Sequence, residues 1–261
     1  MEGWYDVTKL GNVSTTQWGE VNDWGYCWAF SAVNMAAWWL DRYRAAGGEV
    51  NATLSSTADT YLNGTSKYGY QAALADAIPD YWEPKGGNSS NCLSWLFTGE
   101  AIEYTGDSLA KLRVKPSGGF FRELIPESAV PDFSCYFRRE LEVSDFTPWG
   151  TDEESVIFYF SDILFQMLAR GPAAVEIPNH AFTLWGAEFK EATYNGATRW
   201  KVTKVYVADN DRSETEGTAP QLLSLDVTVT KPPMLSTKTP TITGYKAAAY
   251  ICRLVPLYGY E

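Results

Sequence analysis

Apolar and polar positions follow a helical period in two segments of the chain. The first segment predicts a helix over residues 27–46, which the pair Gly47-Gly48 would end. The second predicts a helix over residues 153–169, ended by Gly171-Pro172. Between these helices the pattern mixes short helical stretches with loops and defines no further long element.

From residue 173 onward the pattern changes to short segments with the composition of β-strands. Asn195-Gly196 predicts a hairpin turn between two of them. Residues 1–26, rich in Gly, Asn, Thr and Trp, predict a strand or extended arm followed by a loop. The predicted strands of the second half are 173–177, 181–189, 200–208, 222–229 and 247–255.

A helical first half followed by a β-rich second half predicts an α+β fold. A chain of 261 residues is long enough for one large domain. We therefore expect a single domain over residues 1–261. A helical N-terminal lobe and a β-rich C-terminal lobe would meet near residues 150–172.

Composition and charge exclude several classes of function. Hydrophobic residues make up 45% of the chain, so a sizeable core can form. The net charge of −11, without a basic cluster, is unfavourable for binding nucleic acid or an anionic membrane surface. We expect no membrane insertion, because the sequence has no apolar run of the roughly 18 residues that a spanning helix requires.

The cysteines and the histidine limit the metal chemistry that the chain can support. The four cysteines show no CxxC spacing, and one histidine is too few for zinc-finger or zincin ligand sets. We expect at most one disulfide, no metal and no organic cofactor.

Cys27 lies where a predicted loop ends and a predicted helix begins. The N-terminus of a helix carries a partial positive charge, which favours a thiolate and makes such a cysteine a candidate nucleophile. A nucleophilic cysteine needs a base, and His180 is the one imidazole of this chain. The ordinary alternative for Cys27 is a packed structural cysteine.

Two acidic residues follow the apolar strand that ends at residue 208. Asp209 or Asp211 can hold one ring nitrogen of a histidine and thereby fix its tautomer. The alternative is an Asx turn, in which the side chain bonds its own backbone. A calcium loop is disfavoured because its sixth position, counted from Asp209, is Glu214 instead of glycine.

Several of these segments resemble papain-like cysteine peptidases. Cys27-Trp28-Ala29-Phe30-Ser31 resembles the sequence around the papain nucleophile, and Asn179-His180-Ala181 resembles its histidine segment. A closer resemblance is to the streptococcal IgG-cleaving endopeptidases of the IdeS/Mac type. Four segments carry it, in the family's order: Gly3-Trp4-Tyr5-Asp6-Val7-Thr8-Lys9; Cys27 with Asn34-Met35 and Trp38-Trp39-Leu40-Asp41; Asn179-His180 with Leu184-Trp185-Gly186-Ala187 and Phe189; and Tyr206-Val207-Ala208-Asp209-Asn210-Asp211.

The resemblance implies a papain-like fold and a role for each matched residue. Cys27 is implied as the nucleophile and His180 as the base. Asp209 is implied to orient the histidine, with Asp211 as a second acid near the site. Residues 50–150 match no segment of the family.

The family also uses a lysine of its opening segment to bind the oxyanion, which implies this role for Lys9. The family keeps that lysine closer to its cysteine, however, and this chain has an apparent insertion between Lys9 and Cys27. Papain uses an upstream glutamine for the same task, and Gln17 lies ten residues before Cys27. Lys9 and Gln17 therefore compete for the role, and we favour Lys9.

The resemblance implies a cysteine endopeptidase that cleaves immunoglobulin heavy chains near the hinge. We expect a monomer that acts as a secreted or cell-surface virulence factor, its signal peptide removed, and that takes a protein as substrate. Two alternatives remain open. One is a catalytically silent papain-fold module that binds immunoglobulin or another host protein, and the other is a general papain-type peptidase or transamidase.

Overall fold

The computed structural model describes residues 5–7, 9, 13–16, 19–51, 53–54, 78–82, 87–99, 119, 121–131, 141–142, 152–211 and 222–259. This part of the chain mixes helices and antiparallel strands, which agrees with the predicted α+β class. Helices α1 to α3 span Cys27–Ala45, Ser89–Thr98 and Glu153–Leu168, and two 3-10 turns span Asp23–Tyr26 and Glu127–Ala129. Residues 53–54 and 78–81 are also helical. None of the helices in these ranges is long and apolar enough to cross a membrane.

Helix α1 begins and ends where the sequence pattern predicts. The 3-10 turn before it is capped by Asn22, whose side chain accepts the N–H of Trp24 at 3.3 Å. At its C-terminus, Gly47 adopts a φ of 80°, and the N–H of Gly48 donates to the Tyr43 carbonyl at 2.9 Å. The predicted glycine stop is therefore confirmed, and Cys27 is the first residue of the helix.

Side-chain caps also start the two other helices. Asn88 accepts the N–H of Ser90 at 2.9 Å at the start of α2. Asp152 accepts the N–H of Ser155 at 2.8 Å at the start of α3, which confirms the helix predicted from residue 153.

The strands form two antiparallel sheets. Strands β1 (Val13–Thr16) and β2 (Gly19–Asn22) pair as a separate hairpin within the N-terminal arm. The other eight strands pair in the order β3-β10-β4-β5-β6-β7-β8-β9. Their bounds are Leu141–Glu142 (β3), Ala173–Ile177 (β4), His180–Tyr194 (β5), Ala197–Ala208 (β6), Leu222–Thr230 (β7), Thr239–Thr243 (β8), Ala249–Tyr250 (β9) and Arg253–Pro256 (β10).

Strands β9 and β10 lie far apart in this order although only two residues join them in the chain. The N–H of Ile251 donates to the Pro240 carbonyl of β8 at 2.9 Å, and the next N–H, of Cys252, donates to the Glu176 carbonyl of β4 at 2.7 Å. Because two residues cannot span a flat sheet, the sheet curls until β8 and β9 approach β4. The prediction of one strand over 247–255 is therefore wrong, since the chain bends between β9 and β10.

Alternate residues of the central strands face two separate hydrophobic cores. Ala174 of β4 belongs to the core around α1 and α2, which includes Trp39 and Trp95. Val175 and Phe182 belong to the core that α3 fills. Successive side chains of a strand point to opposite faces, so α1 packs on one face of the sheet and α3 on the other.

The remaining strand predictions are confirmed, with longer bounds for β5 and β6. Asn195 and Gly196 both adopt positive φ angles, of 49° and 76°, in the turn that joins these two strands. The pattern predicts neither β3, which has only two residues, nor β8, which Pro240 interrupts. Proline has no N–H to donate. The side of Pro240 that would carry it faces β9, as its carbonyl does, and β9 pairs only with Thr241 and Ile242 of β8. Pro240 therefore removes no hydrogen bond from the strand pairing.

Candidate active site

Cys27 and His180 line the same cavity, whose volume is about 340 Å³. Cys27 opens α1 on one side, and His180 opens β5 on the other. The turn before His180 places Asn179 in the left-handed region, with φ 62°. Asparagine tolerates this conformation better than most residues, and the tight turn directs the chain straight from β4 into the histidine.

Asp209 and Asp211 follow His180 by about thirty residues in the sequence, and the register of the sheet explains why they lie beside it. Strands β5 and β6 are antiparallel, and Thr183 pairs with Ala208. The start of β5 therefore lies beside the end of β6. Asp209 and Asp211 follow directly after β6, which brings both of them to His180.

The two carboxylates contact different nitrogens of the imidazole. Asp209 Oδ1 lies 2.8 Å from His180 Nε2, within hydrogen-bonding distance. Asp211 Oδ2 lies 3.4 Å from His180 Nδ1. The N–H of Asp211 also donates to Asp209 Oδ1 at 3.0 Å, so an Asx turn and the contact with the histidine share one carboxylate.

Charge around the imidazole favours its protonated form. Burial by itself lowers the pKa of His180, but the hydrogen bond to Asp209, a hydrogen bond with the Cys27 side chain and the charge of Asp211 raise it to about 9. Burial likewise opposes ionisation of Asp209, yet its hydrogen bonds with His180 and the Asp211 backbone hold the pKa of this carboxyl below its usual value.

Lys9 supplies the second positive charge of the cluster. Its side chain is almost fully buried and forms an ion pair with Asp211 Oδ1, and its Nζ donates to the Trp24 carbonyl at 3.1 Å. The Lys9 backbone N–H donates to the Asn210 carbonyl at 2.8 Å. Lys9 thus joins the acidic turn to the 3-10 turn before Cys27, and it lies outside the set of described residues that line the cavity.

Two aromatic rings enclose the histidine. Tyr245 stacks parallel to the imidazole, with ring centroids 5.9 Å apart and an interplanar angle of 1°. Phe182 meets the imidazole edge-on at 4.6 Å. Burial raises the pKa of the Tyr245 phenol, and so do the charge of the nearby Asp209 carboxylate and a hydrogen bond with it. The curl of the sheet brings Tyr245, just after β8, to this position.

Tryptophans form the wall of the cavity next to Cys27. The Trp28 Nε1 donates to the Gly25 carbonyl at 3.0 Å, which fixes the indole. A Cβ on Gly87 would collide with this indole, so only glycine fits there. Trp24 is 48% exposed and presents an open aromatic surface at the cavity.

One further carboxylate, Glu176 of β4, lines the cavity but is engaged elsewhere. Its Oε1 accepts the N–H of Ser89 at 2.9 Å, at the N-terminus of α2. Its Oε2 lies 3.5 Å from Arg253 Nη1. Glu176 therefore ties helix α2 to the sheet.

His180, Asp209 and Asp211 also offer ligand atoms within 4.8 Å of one another, a spacing that suits a metal ion. The Lys9 ammonium already neutralises Asp211, and Asp209 holds the imidazole. This arrangement is that of an ion-pair network, because a cation between these groups would lie against the buried charge of Lys9.

Sequence reasoning proposed Cys27, His180, Asp209, Asp211 and Lys9 as site residues. In the structure Cys27 and His180 line one cavity. His180, Asp209, Asp211 and Lys9 form one charge network. Gln17, the competing oxyanion donor, lies outside the described residues, as does Cys135. Cys27, Cys92 and Cys252 are free cysteines. Sequence reasoning missed Tyr245, Asn210 and Trp24. Asn210, between the two acids, and Trp24, three residues before Cys27, each carried a positional signal, whereas Tyr245 carried none.

Comparisons with known proteins do not assign the chain to a family. No protein-family model matches it, and no curated protein matches it significantly.

Proposed function

We propose that this protein is a cysteine endopeptidase with a papain-like, two-lobed architecture. The observation that carries the proposal is the shared cavity of Cys27 and His180, in which Asp209 holds the far nitrogen of the imidazole. A thiol at a helix N-terminus, an imidazole and a carboxylate behind it are the three groups that acyl transfer by a cysteine requires.

The proposed mechanism begins with attack of the Cys27 thiolate on a peptide carbonyl. Asp209 occupies Nε2, so Nδ1 is the nitrogen of His180 that faces the reaction. The imidazolium donates a proton from Nδ1 to the leaving amine, and the neutral ring then takes a proton from the water that hydrolyses the acyl-enzyme. The raised pKa of His180 supports this role, because it keeps the ring protonated at neutral pH.

The oxyanion is proposed to be bound by the backbone N–H of Cys27 and by Lys9. An ammonium has three N–H donors, and Asp211 and the Trp24 carbonyl account for two of them. Gln17 remains the alternative donor. One donor of this kind contributes about 2.7–4 kcal/mol to the stability of a transition state in comparable sites.

For the substrate we propose a protein cleaved in an extended segment, specifically an immunoglobulin heavy chain near its hinge, by a secreted monomer. The resemblance of four sequence segments to the IdeS/Mac endopeptidases supports the target. The exposed Trp24 ring beside Cys27 supports an extended polypeptide, because indole offers a flat apolar surface to a backbone that crosses it.

The test is parallel digestion of intact IgG, IgA, IgM and a denatured protein, with fragments mapped by mass spectrometry. We expect one cut in one immunoglobulin class and none with the Cys27→Ala variant. Cleavage of the denatured protein alone would instead identify a general peptidase. Binding of an immunoglobulin without cleavage by the wild type would identify a silent binding module and overturn the proposal.

A further inference from the structure

The side chain of Asn210 joins the two sides of the candidate site. Its Nδ2 donates to the backbone carbonyl of Cys27 at 3.1 Å and to that of Ala181 at 3.1 Å. Cys27 belongs to helix α1, whereas Ala181 follows His180 in strand β5. The backbone carbonyl of Asn210 accepts the N–H of Lys9, so one residue contacts three of the segments that form the site.

The hydrogen-bonding capacity of the amide matches this arrangement. An asparagine NH₂ group has two donors, and both go to carbonyl oxygens. Because both neighbours are acceptors, the nitrogen and not the oxygen must face them. The opposite atom, Oδ1, is buried with no hydrogen-bond partner among the described residues. A buried acceptor without a hydrogen bond typically lowers the stability of a fold. The site therefore retains this amide in spite of that loss.

Asn210 is also buried with 1% of its surface exposed, and it lies between Asp209 and Asp211 in the turn after β6. A buried, fully used pair of donors restricts the movement of the groups that it joins. Any shift of this turn would move both acids relative to the histidine. Any shift of the helix would move Cys27 relative to the histidine strand.

We propose that Asn210 is a positioning residue that sets the separation of the Cys27 thiol from the His180 imidazole. Its significance for catalysis rests on the proposed peptidase function, whereas its effect on the two side chains does not. The neutral amide suits this position, because an aspartate there would place a third carboxylate in the turn and face two carbonyl oxygens without a donor.

The experiment compares wild type with Asn210→Ala and Asn210→Ser by two measurements that need no protein substrate. The first is the pH-dependence of iodoacetamide alkylation at Cys27, followed by mass spectrometry. The second is the NMR titration of His180, whose imidazole signals are unambiguous because the chain has one histidine. We expect alkylation at neutral pH to slow by about tenfold or more, because a displaced imidazole no longer assists the Cys27 thiol as a nucleophile. We also expect the pKa of His180 to fall from about 9.

Asn34→Ala is the matched control. Asn34 is a second fully buried asparagine that joins segments across the fold, because its Oδ1 accepts the N–H of Val7 at 3.1 Å and its Nδ2 donates to Thr183 Oγ1 at 2.9 Å. Asn34 joins the same helix and strand as Asn210, α1 and β5, but its bonds involve neither Cys27 nor the residue after His180. We expect this variant to lose stability while alkylation and the His180 titration stay close to wild type.

Turnover completes the test once a cleaved substrate is known. We expect kcat of the Asn210 variants to fall by about 10²-fold with little change in KM, the effect of displacing reacting groups by a fraction of an ångström to an ångström. If folded Asn210→Ser keeps wild-type alkylation and His180 titration, or if Asn34→Ala alters both equally, the inference is wrong. A wild type that cleaves nothing would overturn the peptidase proposal but leave the alkylation and titration results valid.

Discussion

Asp209 Oδ1 accepts the N–H of Asp211 at 3.0 Å and lies 2.8 Å from His180 Nε2. One oxygen thereby closes the turn that carries the second acid and fixes the orientation of the imidazole. The two carboxylates carry two negative charges in a mostly buried cluster, and Lys9 neutralises one of them. Protonation of His180 neutralises the other, which is the physical reason for the raised pKa of the ring.

The first prediction concerns this pKa. NMR titration of the one histidine should show a midpoint near 9 instead of the ordinary 6.5. The folded pKa of His180 lies above its unfolded value, so its contribution to stability is fully present below pH 6.5 and is lost as the pH rises to about 9. The contribution is on the order of 3 kcal/mol.

Urea denaturation between pH 5 and 10 checks the same linkage, with His180→Gln as the control. The difference in unfolding free energy between wild type and this variant should stay constant below pH 6.5 and shrink toward pH 9. At the acid end, the lowered pKa of Asp209 stabilises the fold above its ordinary value of 3.8, and this stabilisation is lost as the pH falls further. A His180 midpoint of 6.5 would contradict the charge network.

The second prediction concerns the selectivity of thiol reagents. Burial raises the pKa of the Cys92 thiol far above its usual range, and burial with the charge of Glu176 raises that of Cys252 to about 11. Iodoacetamide at pH 7 should therefore label Cys27 before Cys92 and Cys252, and Cys27→Ser should abolish the fast phase. Peptide mapping of a time course measures this order. Equal labelling of all three would count against Cys27 as the nucleophile.

The third prediction separates the two acids. Asp209→Asn should reduce turnover by up to about 10⁴-fold, because an amide does not hold the imidazole in its productive tautomer. Asp211→Asn should be milder, because its oxygen lies 3.4 Å from the other ring nitrogen. Asp162→Asn, which removes a carboxylate from a surface pair with Arg199, is the control and should leave turnover unchanged. If Asp211→Asn proves the more damaging variant, the roles of the two acids must be exchanged.

The parts of the site that sequence could predict are those set by local pattern. The change from a loop pattern to helical periodicity placed Cys27 at the start of α1, and an apolar strand with acidic residues at its end placed Asp209. Both positions depend on a few neighbouring residues. The meeting of Asp209 with His180 then followed from a simple antiparallel pairing of β5 and β6.

Tyr245 and Asn210 could not be found in this way, for two different reasons. Tyr245 reaches the histidine because the sheet curls, and that curl depends on contacts of Ile251 and Cys252 with distant strands. The partners of the Asn210 side chain are backbone carbonyls, which carry no residue identity in a sequence. The prediction of a single strand over 247–255 was wrong for the same reason: the bend depends on distant strands, and no local sequence signal marks it.

The fourth prediction concerns the ring of Tyr245. Tyr245→Phe should retain turnover within a few-fold, because it keeps the ring that stacks on the imidazole and leaves the contact between Asp209 and His180 in place. Tyr245→Ala should destabilise the fold by about 2 kcal/mol and admit water to the His180–Asp209 pair. Thermal unfolding and kcat measure the two effects. A large loss of turnover in Tyr245→Phe would show that the hydroxyl itself acts on Asp209.

The last prediction distinguishes the structural role of Lys9 from its proposed role at the oxyanion. Lys9→Met leaves Asp211 without its cation in a largely buried site, so stability should fall by about 3 kcal/mol. The double variant Lys9→Met with Asp211→Asn removes both charges and should recover much of that loss, which denaturation can measure. We expect its turnover to remain about 10²–10³-fold below that of Asp211→Asn alone, since the oxyanion still lacks a donor. Gln17→Ala, measured beside it, should change turnover little. If the double variant matches Asp211→Asn in turnover while Gln17→Ala is impaired, Lys9 acts only through its ion pair and the glutamine is the donor.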